Sequence, residues 1–192
     1  MTCLGVALGK EEPPMARIMI VGDGPGGLSA ALLLAKNNQD VHVFGTDETP
    51  MHKAMLYNYL GIKEITGSEF QKVAREQVES FGASLHHVRV ASLERSGEGF
   101  VLATEEGEGF EGDYVILAMA QKPLFVSLGL GAEPDVDKFG RSEVPRVYVV
   151  GWPVRKQKIQ AIISAGDGAA VALAILSEVE GKDTHDFDVV QK

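Results

Sequence analysis

Apolar positions along this chain fall into runs of two kinds. Ile18 to Val21 and Val41 to Phe44 are short and bounded by turn residues, as strands are, whereas the stretch between them is apolar from Leu28 to Ala35, long enough for a helix. Further on, Phe70, Val73, Ala74, Val78 and Phe81 recur at helical spacing ahead of Gly82, and Ser68 and Gln71 stand at capping-box spacing. A helix from Ser68 that covers a sheet is predicted, while the segment from Gly45 to Gly67 reads as too polar and broken for regular structure. Leu85–Val90, Ala91–Arg95, Phe100–Thr104 and Phe110–Glu111 are short strand candidates, and the SGEG and EEGEG breaks among them read as hairpin turns. They predict an inserted β-meander. Tyr114–Ala118 and Val147–Val150 are almost wholly apolar, as parallel strands buried on both faces are. A last helix, alanine-rich, is predicted from Gln160 to Glu180 and stopped by Gly181. The sum is a single Rossmann-like α/β domain: a parallel sheet with helices and a meander.

The first strand runs straight into Gly22-x-Gly24-x-x-Gly27. In a dinucleotide-binding turn, Gly22 permits the sharp turn, Gly24 lets the backbone approach a pyrophosphate, and Gly27 lets the helix pack close on the sheet. A helix starting near Gly26 offers free N–H groups and its positive dipole end to phosphates. A glycine-rich turn with only a folding role is the alternative, but it does not explain why the turn lies between two strands at this spacing.

At 192 residues, with 45% apolar and 23% charged residues, the chain is read as one globular domain from 16 to 192. A net charge of −9 argues against general affinity for nucleic acid or an anionic membrane. Any anionic ligand then needs local backbone amides. Residues 1–15 read as a mobile extension ended by Pro13 and Pro14, lacking a signal peptide's basic start. With no run of about 18 apolar residues, a cytoplasmic location is expected. The single cysteine, Cys3, cannot form an intrachain disulfide. His42, His52, His86, His87 and His185 lack metal-ligand spacing, so no metal is expected, and His86 and His87 should face opposite ways in a strand. No nucleophile elbow, Ser-His-Asp order or P-loop appears, and no catalytic residue is singled out.

Four blocks in order, GDGPGGLSAALLLA (22–35), YNYLG (57–61), YVILAMA (114–120) and PRVYVVGW with QAIISAGDGAA (145–170), resemble the FAD domain of thioredoxin reductases. The chain is similar to the short, single-domain thioredoxin reductase-related members of the pyridine nucleotide-disulfide oxidoreductase superfamily. The resemblance implies FAD as cofactor and a homodimer. It implies a cofactor path along Gly22, Gly24, Pro25, Gly26 and Gly27, then Gly45, Thr46 and Asp47, with Val90, Ala118, Met119 and Ala120. The flavin end falls to Asn58, Gly151, Trp152, Gln160, Ala161 and Ile162.

Several features depart from that pattern. The NADPH domain that the reductases insert between the two buried strands has no room in Met119 to Arg146, and their dithiol is absent. Gly45 stands where an acidic residue often holds the ribose, with Asp47 as a possible substitute; Ala118-Met119-Ala120 replaces Ala-Thr-Gly, and Gly151-Trp152 replaces Gly-Asp. The small residues Ala161, Ser164, Ala165 and Gly166 admit either a flat ring or close helix packing. His52 and Lys53 either border the flavin or sit in a solvated loop; Arg155, Lys156 and Lys158 either meet phosphates or an acidic donor or are solvated. The expectation is an FAD-binding oxidoreductase that exchanges electrons with a separate donor or acceptor. The alternative is a flavin- or nucleotide-binding module without redox catalysis, a sensor or interaction subunit. A nicotinamide-only dehydrogenase is weaker, because the meander and late helix belong to the flavin domain.

Overall fold

In the computed structural model, which describes residues 15–190, Arg17–Val21 forms β1, Pro25–Lys36 forms α1 and Asp40–Gly45 forms β2. A 3-10 turn (Pro50–Lys53) follows, then β3 (Met55–Leu56), β4 (Ile65–Thr66), α2 (Gly67–Ser80) and β5 (Ser84–His87). The meander is β6 (Val90–Ser96), β7 (Gly99–Thr104) and β8 (Gly109–Gly112). After it come β9 (Tyr114–Leu117), α3 (Lys122–Ser127), β10 (Val147–Val149), α4 (Trp152–Arg155) and α5 (Ala161–Glu180). The expected extension, apart from Met15, and Cys3 lie outside the described residues.

Five parallel strands stack in the order β10-β9-β1-β2-β5. Because side chains alternate along a strand, β1 sends Ile18 and Ile20 to one face and Met19 and Val21 to the other. The first pair packs with Leu28, Leu34, Val171 and Ile175 of α1 and α5. The second packs with Leu93, Phe100 and Leu102 of the meander and Leu124 and Phe125 of α3. Both faces are covered, which is why these strands read as continuous apolar runs. β6, β7 and β8 form a separate antiparallel sheet, as the turn signals predict.

Several local expectations shift. Leu85–Val90 divides: its first residues join β5 at the edge of the main sheet, and Val90 opens the meander. The segment after Gly45 is more ordered than its polarity suggests, with the 3-10 turn capped by Thr49 and an antiparallel β3–β4 pair. Helix α2 starts at Gly67, capped by the Thr66 hydroxyl, which accepts from the Glu69 N–H at 3.1 Å, while Ser68 Oγ instead lies 2.9 Å from a His52 ring nitrogen. Its apolar stripe is only partly covered: Val78 is fully buried and Ala74 packs against the core, while Val73 and Phe81 are 48% and 45% exposed. Gln71, off the stripe, is also fully buried, and its amide reaches the turn after β1. Helix α5 is long and apolar enough, by length and composition, to cross a membrane; in this fold its apolarity serves packing, with Val171, Ala172, Ile175 and Leu176 buried against α1 and the sheet.

Sequence spacing did not bring His42 to His86, but the pairing of β2 with β5 does: the register sets Phe44 opposite His86 and His42 opposite Ser84, so the two histidines meet diagonally on one face. Their ring nitrogens lie 2.9 Å apart, and Phe44, His86 and His42 stack in a column with Phe110 edge-on to Phe44 and His86. His87 is exposed on the other side. Burial, then the neighbouring His42, lowers the pKa of His86 below its ordinary 6.5. A histidine held neutral in the fold binds fewer protons than in the unfolded chain, so stability rises with pH across that interval. The melting temperature is therefore expected to be level above about pH 7 and to fall as pH drops through the ordinary imidazole range. Melting curves of His86→Phe against the parent from pH 5 to 8 check this; an unchanged acid limb in the variant would refute it.

Candidate functional site

The carboxyl ends of all five parallel strands open into one cleft of about 380 Å³. β1 contributes Val21 to Gly24, β2 Phe44 to Thr46, the exit from β5 Val88 to Val90, the exit from β9 Ala118 to Gln121, and the exit from β10 Trp152. β1 is flanked by β2 on one side and β9 on the other, so the chain reverses its winding there. Open α/β sheets bind ligands outside such a switch point. The walls are largely apolar, and the ionisable residues among them are Asp23, Glu48 and Arg89. Glu48 and Arg89 pair with each other across the lining.

The turn after β1 takes the shape its glycines predict. Gly22 has φ of +111°, and its N–H donates to the Phe44 carbonyl at 2.8 Å. Helix α1 begins at Pro25 with Gly24 as a cap that has no side chain, so the first-turn N–H groups of Gly26 and Gly27 have no intrahelical acceptor. A methyl built on Gly24 would meet only Thr49 Oγ1, at 3.7 Å. The space in front of the helix terminus is thus open to an anion, which the local dipole favours.

Asp23, a spacer in the glycine pattern, turns out to be central. Its carboxylate is buried; Oδ2 accepts from the Asp47 N–H and from Arg75 Nη1, each at 2.8 Å. The Gln71 amide donates to its backbone carbonyl. Arg75 and Gln71 lie one helical turn apart on α2, so that helix clamps the turn from the side. The sequence singled out Gln71 only by its capping-box spacing from Ser68, a role the Thr66 cap replaces, and it gave no signal for Arg75.

Of the residues singled out from sequence, Gly22, Gly24, Gly45, Thr46, Val90, Ala118, Met119, Ala120 and Trp152 line the cleft. Gly26 and Gly27 lie behind it, in the packing of α1. Pro25 faces a neighbouring apolar groove between α1 and α2. Asp47 is outside the lining: its Oδ1 is 3.2 Å from His52 Nε2. Asn58 and Gln160 meet beyond the cleft, Nδ2 donating to Oε1 at 3.1 Å, which joins the 57–61 loop to the start of α5 beside Ala161 and Ile162. Gly151 packs under α5, where an added methyl would meet Ser164 Oγ at 2.8 Å. The small residues of α5 serve helix packing at least in part, since Ser164 also crowds Gly26. Arg155 is held by Asp167 and Lys156 by Glu133, so that basic cluster is largely neutralised. His52 bridges Ser68 and the Asp47 carbonyl and stays out of the cleft lining.

A family model for pyridine nucleotide-disulphide oxidoreductase matches residues 16–127, more than half of the chain, from β1 to the end of α3. The chain belongs to that family. Among its relatives, the thioredoxin reductase of Helicobacter pylori is 25% identical over 83% of this chain and 51% of its own length. The bifunctional thioredoxin reductase/thioredoxin of Mycobacterium leprae is 31% identical over 79% of this chain and 33% of its own. The chain thus spans from a third to about half the length of these relatives. Solved structures of a thioredoxin reductase from Gloeobacter violaceus (TM-score 0.76, 16% identity, 93% of this chain and 100% of that one) and of an atypical thioredoxin reductase from Desulfovibrio vulgaris Hildenborough (0.78, 17%, 86% and 98%) share the fold. The expected α/β Rossmann-like class is the class of this family member and of those neighbours.

Proposed function

We propose that this oxidoreductase binds FAD along the cleft and exchanges electrons with a separate donor or acceptor. The observation that carries the reading is the convergence of five strand ends on one cleft that also contains Gly22 to Gly24 of the glycine turn, at the N-terminal end of α1. The residues fit an adenosine diphosphate moiety: an open approach at Gly24 for pyrophosphate, and Phe44, Val88 and Val90 as an apolar wall for a purine. Asn58, Gln160, Ala161 and Ile162 would border the flavin on a more exposed surface, within reach of another molecule. Trp152, 55% exposed, is part of the cleft lining. Bound FAD would supply the electron transfer; the chain supplies binding and orientation.

A separate electron partner is part of the proposal because of the stretch from Met119 to Arg146. It carries α3 and a loop closed by isolated bridges at Val136–Ser142 and Arg141–Tyr148. A second nucleotide-binding domain takes on the order of 100 residues. The 192 residues also hold a single cysteine, Cys3, so they supply no pair of thiols for the exchange. A homodimer in the cytoplasm completes the reading, supported by the exposed apolar side chains of Tyr57, Leu60, Ile62 and Val73. Trp152, at the position of the resembled Gly-Asp pair, is what favours the second reading, a nucleotide-binding module without redox work.

The test uses the purified protein and its single tryptophan. Flavin absorbance is expected, and FAD added back to stripped protein should quench Trp152 emission saturably. Colourless protein whose emission ignores added FAD would overturn the proposal. Bound FAD that neither NADPH nor reduced ferredoxin can reduce would favour the module.

A further inference from the structure

The end of β2 lacks a side chain for the ribose, and the structure supplies a carboxylate to that place from elsewhere. A methyl built on Gly45 would lie 2.3 Å from Asp23 Cγ and 2.5 and 2.7 Å from its two oxygens. Asp23 therefore fills the volume into which a residue at the end of β2 would project. Dinucleotide sites of this fold place an acid about 20 residues beyond the glycine turn to accept from the ribose 2′-hydroxyl, or an arginine nearby to take a 2′-phosphate. Here the acid comes from inside the turn. Gly45 is the residue that makes room for it.

We propose that Asp23 is the residue that selects an unphosphorylated adenosine ribose in the cleft, with Arg75 and the Asp47 N–H holding its carboxylate in place. This rests on the reading of the cleft as a dinucleotide site. Oδ2 carries both protein hydrogen bonds, while Oδ1 accepts none among the described residues, in a side chain that lines the cleft. A carboxylate is acceptor-only, so its free oxygen suits a hydroxyl donor. It repels a 2′-phosphate, and Arg75, which would otherwise attract one, is engaged by Asp23 at 2.8 Å. The Gln71 bond to the Asp23 carbonyl fixes the backbone, so the carboxylate meets its ligand preorganised.

The adenosine diphosphate moiety is common to FAD and nicotinamide dinucleotides, so the experiment separates them. Calorimetric titration of stripped protein with ADP and 2′-deoxy-ADP should show about a tenfold preference for ADP, as one charge-assisted hydrogen bond gives. In Asp23→Asn the preference should shrink to about twofold, and adenosine 2′,5′-bisphosphate should bind more tightly than it does to the parent. FAD binding with no detectable NAD⁺ binding assigns the moiety to FAD; the converse assigns it to nicotinamide and overturns the flavin reading but not the role of Asp23. Equal affinity of the parent for ADP and 2′-deoxy-ADP overturns the role of Asp23 and leaves the cleft's function standing, and this arm needs no variant to fold. Failure of the parent to bind ADP, FAD and NAD⁺ alike overturns both.

Discussion

Gly168→Ala is expected to lower the melting temperature by about 6–12 °C, while Gly166→Ala, two residues away on the same helix, should raise it slightly. The added methyl at 168 would sit 2.0 Å from the Gly26 carbonyl oxygen and 3.0 Å from the Ala30 N, both backbone atoms of α1. A side chain can swing aside; a helix backbone moves only with its helix. Overpacking of this sort costs about 1–3 kcal/mol and sometimes more, and at this chain length each kcal/mol corresponds to about 2–4 °C. The upper end applies because α1 and α5 would both have to shift. At Gly166 a methyl meets nothing within 4 Å on an exposed helical position, where alanine is favoured over glycine by about 1 kcal/mol. Thermal melts of the two variants decide it. Equal small effects would mean that the two helices do not pack as closely as the structure has them.

That pair also shows what a sequence conceals. Gly166 and Gly168 look alike as letters in an alanine-rich helix, and only the approach of α1 distinguishes them. The strand–turn–helix–strand unit, the buried strands, the meander and the late helix were legible, because periodicity and turn chemistry act over a few residues. The cleft was legible as far as backbone motifs reach, through Gly22, Gly24 and the small turn at Ala118. What was hidden depended on contacts between distant segments: Asp23 meeting Gly45 across β1 and β2, Arg75 and Gln71 reaching it from α2, and His42 paired with His86. The burial of Gln71 on α2 has the same origin, since its amide donates to the Asp23 carbonyl in the turn after β1. A buried glutamine without that partner would cost about 1–3 kcal/mol.

The second large effect separates folding from binding at a single atom. Gly24→Ala should leave the fold nearly intact yet weaken FAD and ADP binding by about 100-fold, equivalent to about 2.7 kcal/mol. The fold tolerates the methyl because its nearest neighbour, Thr49 Oγ1, is 3.7 Å away, an ordinary contact, and because Gly24 has φ of −77°, a value any residue adopts. Alanine is a poorer helix cap than glycine, so a loss of up to about 1 kcal/mol in stability is expected. The ligand cannot be so tolerant. The open space at Gly24 is the approach to the free N–H groups of α1, and a pyrophosphate must come within hydrogen-bonding distance of them, about 2.9 Å. A methyl there holds the phosphates off, and the attraction of a helix terminus falls away within the first turn. Melting temperature and ADP affinity measured on one preparation give the answer: a variant that melts a few degrees lower and still binds ADP like the parent would show that the phosphates do not lie on this turn.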